Sequence, residues 1–97
     1  MEIKIKSLKF DADKKLLAFV EKKVARLSKF LAGAETDAEV VLTLEKDAKG
    51  AKIKIPVPGE ELIIERTAKT FEDAITACVD AMKEKLTREK EKKYDAS

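Results

Sequence analysis

Apolar and polar residues alternate at the start of the chain. Ile3 and Ile5 stand between Glu2, Lys4 and Lys6, a period of two that predicts a strand with one buried face. Leu8 and Phe10 are candidates to continue it. Asp11 or Asp13 then offers an N-cap. The period changes next. Leu16, Val20, Val24, Leu27 and Leu31 recur three or four residues apart, which predicts a helix over 13–32 with one apolar face. Leu17 widens that face, and Gly33 is a stop just past its end.

Period two returns over 38–46. Val40, Leu42 and Leu44 point one way; Val41, Thr43 and Glu45 point the other. Asp47-Ala48-Lys49-Gly50 reads as a tight turn in which Gly50 supplies a positive φ. Ala51, Ile53, Ile55 and Val57 predict a third strand, edge-like near its end because Pro56 and Pro58 cannot donate ladder bonds. Pro58-Gly59-Glu60-Glu61 predicts a second turn. Leu62, Ile64, Arg66 and Ala68 predict a fourth strand. Thr70-Phe71-Glu72-Asp73 resembles a capping box, with Asp73 in the place of the usual Glu or Gln. Phe71, Ala74, Ile75, Cys78, Met82 and Leu86 then line one face of a last helix. Beyond Leu86 the chain is charged, and Glu84–Arg88 and Glu89–Lys93 are favourable i,i+4 pairs.

The order is β-α-β-β-β-α. The first helix crosses over between parallel strands, the later three strands form an antiparallel meander, and both helices cover one face of a four-stranded sheet. The expected class is α+β. The chain has 97 residues, enough for one domain and one core without staples. It reads as a single domain over 1–93 with a disordered tail at 94–97.

Composition changes this picture mainly by exclusion. No histidine is present, so Ser-His and Cys-His catalysis and Cys/His zinc sites are absent. No glycine-rich loop follows a strand. Cys78, the single cysteine, lies mid-face among apolar neighbours and reads as a buried, inert thiol. Neither a catalytic residue, a metal nor a cofactor is expected. No signal peptide or membrane span is visible, and a reducing, cytoplasmic setting fits.

The net charge is only +2, but it is unevenly distributed. Residues 1–31 carry nine bases against four acids, while 33–69 is slightly acidic. On a helical wheel Lys15, Lys22, Arg26 and Lys29 fall in a narrow arc nearly opposite the apolar face, with Lys23 nearer the core edge. No acid interrupts the stripe. Phe19 and Phe30 flank it. The pattern alone fits a phosphate-tracking surface and an ordinary solvated face equally. The second helix offers Lys83, Arg88 and Lys90, diluted by Glu84, Glu89 and Glu91.

Two segments bear a resemblance. Val20-Glu21-Lys22-Lys23-Val24-Ala25-Arg26-Leu27-Ser28-Lys29-Phe30 resembles the first helix of ribosome hibernation-promoting factors, also known as sigma 54 modulation proteins or ribosome-associated inhibitors. Thr70-Phe71-Glu72-Asp73-Ala74-Ile75, with Asp80 and Leu86-Thr87-Arg88-Glu89-Lys90, resembles their second helix. The resemblance covers essentially the whole chain. It implies a double-stranded-RNA-binding-like fold, and a translation inhibitor that occupies the messenger and transfer RNA channel of the small ribosomal subunit. Its partners would be that subunit and its rRNA, met as a monomer, with no membrane and no small-molecule substrate. Lys23, Arg26, Lys29, Arg88 and Lys90 carry over as RNA contacts. Lys15, Lys22 and Lys83 join them from the charge pattern. Ala81 and Glu84 depart from the family, which often has Lys or Arg there. The long family form adds a C-terminal dimerisation domain; this chain resembles the short form. The alternative is a general structured-RNA-binding or protein-interaction module on the same fold, the latter docking through a sheet face lined by Val41, Ile63 and Glu65.

Overall fold

The computed structural model of the protein describes residues 2–31, 36–57 and 59–95, with side chains as far as 88. Strand β1 (Ile3–Leu8) leads into helix α1 (Lys14–Ala25), which tightens into a 3₁₀ turn (Arg26–Phe30). Strands β2 (Ala38–Leu44), β3 (Lys49–Val57) and β4 (Glu60–Ala68) follow, then helix α2 (Phe71–Asp95). The sheet order is β1-β2-β3-β4. β1 and β2 are parallel; the other neighbours are antiparallel. This is the α+β arrangement expected, with both helices packed into one core against one face of the sheet.

Register places the apolar alternation on that face. Ile5, Val40, Ile53 and Ile64 form one row across all four strands. Val20, Val24 and Leu27 from the first helical segment, and Ala74, Ile75, Cys78 and Met82 from α2, close over it fully buried. Among the described residues no polar or charged side chain is buried. Burial of apolar area drives this core, and each described ionisable group but the Cys78 thiol is left at or near the surface. Phe10 continues the core past β1 by stacking on Phe71, ring centroids 4.4 Å apart. Leu8 falls on the opposite parity and is exposed.

Four expectations need correction. The helix over 13–32 is α-helical only to Ala25. Val24, Leu27 and Phe30 are three residues apart, and a 3₁₀ turn stacks i and i+3, so tightening keeps all three toward the core. Gly33 lies outside the described residues. Gly50 is not a turn residue: it sits in β3 opposite Thr43 without a positive φ. The turn falls earlier, closed by the Glu45 N–H on the Ala48 carbonyl at 2.9 Å. In the second turn Glu60 and Glu61 already belong to β4, opposite Val57 and Pro56, and Pro58 lies outside the described residues. Finally, α2 extends through Tyr94 and Asp95, which the sequence assigned to a tail; Ala96 and Ser97 lie outside the described residues.

Pro56 is tolerated because β2 no longer pairs there. The β2–β3 ladder reaches only Glu39↔Lys54, and the Pro56 carbonyl accepts instead from the Thr36 hydroxyl at 2.8 Å.

Gly59 has φ +85°, and a Cβ built there meets nothing within 4 Å. A substitution therefore costs conformational energy alone. Gly59→Ala is expected to lower unfolding free energy by about 1 kcal/mol, the left-handed penalty less the entropy lost from the unfolded chain. Urea denaturation checks this; an unchanged midpoint contradicts it.

Candidate nucleic-acid interface

Capping sets where each helix begins and hence which residues face out. The Asp13 carboxylate accepts from the Leu16 N–H at 2.8 Å, starting α1 at Lys14 and turning Val20 and Val24 inward. The Thr70 hydroxyl accepts from the Asp73 N–H at 3.0 Å, and Phe71 to Leu86 then bury the inner face of α2. The helices lie side by side, so their outer flanks share a groove.

Lys23, Arg26, Lys29 and Phe30 line one wall of this groove, Thr76, Asp80 and Lys83 the other, with Leu27 and Val79 also lining it. The cations on the first wall are three residues apart. In an uninterrupted α-helix they would drift around the axis; the 3₁₀ turn stacks Arg26 and Lys29 above one another. One tightening thus settles both the core row and the cationic row.

Phe30 joins the two walls. The Lys29 ammonium lies 5.5 Å from its ring centroid and the Lys83 ammonium 5.7 Å. Lys23 lies similarly over Phe19, at 5.6 Å. Each contact contributes about 0.5–1 kcal/mol at an exposed site, enough to orient a long side chain but too little to neutralise it. Neither Lys15, Lys22, Lys23, Arg26, Lys29 nor Lys83 makes an ion pair with a described residue. Their charge is available to an anion.

Arg88 differs. Its Nη2 donates to Glu84 Oε1 at 2.7 Å, as the i,i+4 spacing predicts. Both partners are largely exposed, so the pair is weak and easily exchanged for another anion. Arg88 and Glu84 border a hollow adjoining the groove, which Asp80 and Lys83 also line.

The structure therefore brings together Lys23, Arg26, Lys29 and Lys83, with Arg88 alongside. Lys15 and Lys22 are exposed on α1 but do not line the groove. The Lys90 side chain lies outside the described residues. Asp80 and Thr76 were not singled out from sequence as site residues. Nothing in a pattern of cations marks a carboxylate facing them from another helix.

The opposite face of the sheet is unlike this. Lys4, Glu39 and Lys54 alternate in sign across three strands, Lys52 faces Glu65, and Lys54 pairs with Glu61 at 2.9 Å. Ile63 is exposed there, but charges surround it. The Cys78 thiol donates to the Ala51 carbonyl at 3.1 Å, and burial pushes its pKa up to about 11, partly offset by the Arg66 backbone N–H. A thiolate is strongly disfavoured there. Among the described residues no group of His, Cys, Asp or Glu could hold a metal ion, and no helix is long and apolar enough to cross a membrane.

The fold and the site together define a β-α-β-β-β-α domain with a cationic groove between its two helices. The chain belongs to the family described as sigma 54 modulation protein / S30EA ribosomal protein, which it matches over residues 3–94. Its fold resembles the N-terminal domain of Protein Y from Thermus thermophilus, with TM-score 0.81 and 28% identity over 91% of this chain and 98% of that one. It also resembles a ribosomal subunit interface protein from Coxiella burnetii, with TM-score 0.79 and 17% identity over 100% of both chains; at that identity the likeness concerns fold alone. No curated protein sequence matches the chain closely.

Proposed function

We propose that the protein is a ribosome-associated translation inhibitor that binds small-subunit rRNA at the messenger and transfer RNA channel and promotes ribosome hibernation. The observation that carries this is the groove where Lys23, Arg26, Lys29 and Lys83 converge without an ion pair to a described residue. The family description supports a ribosomal partner. The channel itself comes from the resemblance of the two helices. The protein acts without catalysis, in the cytoplasm, bound as a monomer.

Sedimentation with purified small subunits tests this. With about four phosphate contacts, raising salt fourfold is expected to weaken binding about 50- to 150-fold. Absence from the subunit fraction at low salt overturns the proposal. A second reading, shape-specific binding of any structured RNA, draws on the same groove. Excess generic duplex RNA strips the protein from subunits under that reading and leaves it bound under the first.

Glu84 bears on the share taken by α2. Its carboxylate occupies Arg88 and repels phosphate. Glu84→Gln is expected to raise subunit affinity a few-fold and to steepen its salt dependence by about one contact. If affinity is unchanged, Arg88 lies outside the contact surface.

A further inference from the structure

A carboxylate is an odd member of a phosphate-binding groove. Asp80 is exposed, lines the groove opposite Arg26 and Lys29, and makes no ion pair with a described residue. It lies in the middle of α2, so it caps nothing and is too far from the helix N-terminus to be favoured by the dipole. Glu84, four residues on, is a like charge and opposes it. Lys83, three residues on and in the same groove, is an opposite charge but forms no ion pair with it, and the Asp80 carboxylate weakens any site made only for phosphate.

Its chemistry fits a different part of a nucleotide. An ionised carboxylate only accepts hydrogen bonds, through two oxygens. Guanine presents two adjacent donors, N1–H and the N2 amino group, on its Watson–Crick edge. Adenine, cytosine and uracil each present a single donor group there. That edge is free only where the base is unpaired, the usual target of sequence-specific RNA recognition. Phe30, in the same groove, supplies an aromatic ring on which a base can stack once it displaces the Lys29 or Lys83 ammonium held there. Cations for the phosphate, a ring for the base and a paired acceptor for its edge are thus placed together.

We infer that Asp80 is a specificity-determining residue that makes the groove a site for an unpaired guanosine nucleotide of RNA. This rests on the RNA-binding reading above and adds base selectivity to it.

The test compares wild type and Asp80→Asn on short, labelled uridine-rich RNAs. Each RNA carries one central guanosine, inosine (which keeps N1–H and lacks the amino group) or adenosine; an all-uridine strand reports charge alone. Fluorescence anisotropy gives affinity, and both proteins are also sedimented with small subunits. Wild type is expected to favour guanosine over adenosine about tenfold, within the range for a bidentate base contact, with inosine between. Asp80→Asn is expected to lose that preference and yet bind the all-uridine strand more tightly, because a negative charge is gone. Equal wild-type affinity for all the RNAs overturns the inference, as does a guanosine preference that survives Asp80→Asn. Wild type that sediments with subunits but binds none of the short RNAs overturns the guanosine site and leaves the RNA interface standing. Wild type that does neither overturns both.

Discussion

Reversing Arg26 and Lys29 together to Glu is expected to abolish co-sedimentation with small ribosomal subunits while leaving the fold intact. Both side chains are exposed and line the groove, and neither is paired to a described residue. Reversal removes two phosphate contacts and puts two repulsive charges in their place. Affinity should fall on the order of a hundredfold, and the salt slope should lose about two contacts. Stability should move by no more than about 0.5 kcal/mol, as for most surface changes. Lys4→Glu with Lys6→Glu makes the same change in net charge on the other face of the sheet. If that pair weakens binding equally, long-range charge matters and the groove does not.

Leu27→Ala has the second large effect, and it acts through packing. Leu27 is fully buried and lies in the 3₁₀ turn between Arg26 and Lys29. Truncation removes apolar area and leaves a cavity, for an expected loss of about 2–5 kcal/mol. A domain of this size has about 5–15 kcal/mol in total, so the variant should still fold in the cold. Its subunit affinity should drop there as well, because the residue that seats the cationic row is gone. Leu62→Ala is the comparison: equally buried, on β4 and outside the groove. It should cost similar stability with unchanged cold binding. Equal binding by both variants would separate the groove from its packing.

The fold was legible because each element announces its period without interruption. Ile3–Ile5 and Val40–Leu42 alternate, and Val20–Val24–Leu27 recurs at helical spacing, so strand, helix and buried face follow from one pattern. Gly50 misled because a glycine after Asp47-Ala48-Lys49 suits a turn by composition. The ladder to Thr43, a long-range pairing, decided otherwise. The candidate site was only partly legible. A wheel at 100° per residue grouped Lys15 and Lys22 with Arg26 and Lys29. It could not show the 3₁₀ turn that aligns Arg26 with Lys29, nor that Lys23 lines the same wall. Lys83 was visible as a cation, but its partnership with Lys29 through the Phe30 ring is a tertiary contact. Asp80 was visible only as part of the second helix's family resemblance; its place in the site depends on which residues face it across the groove.

Which face of the domain meets RNA is read most directly by site-specific photocrosslinking. A photoreactive side chain at Lys29, on the groove, is compared with one at Ile63, on the open face of the sheet. With small subunits, the probe at Lys29 is expected to crosslink to rRNA and the probe at Ile63 to give little or none. Crosslinking to rRNA from Ile63, with none from Lys29, would contradict the assignment of the groove as the binding surface.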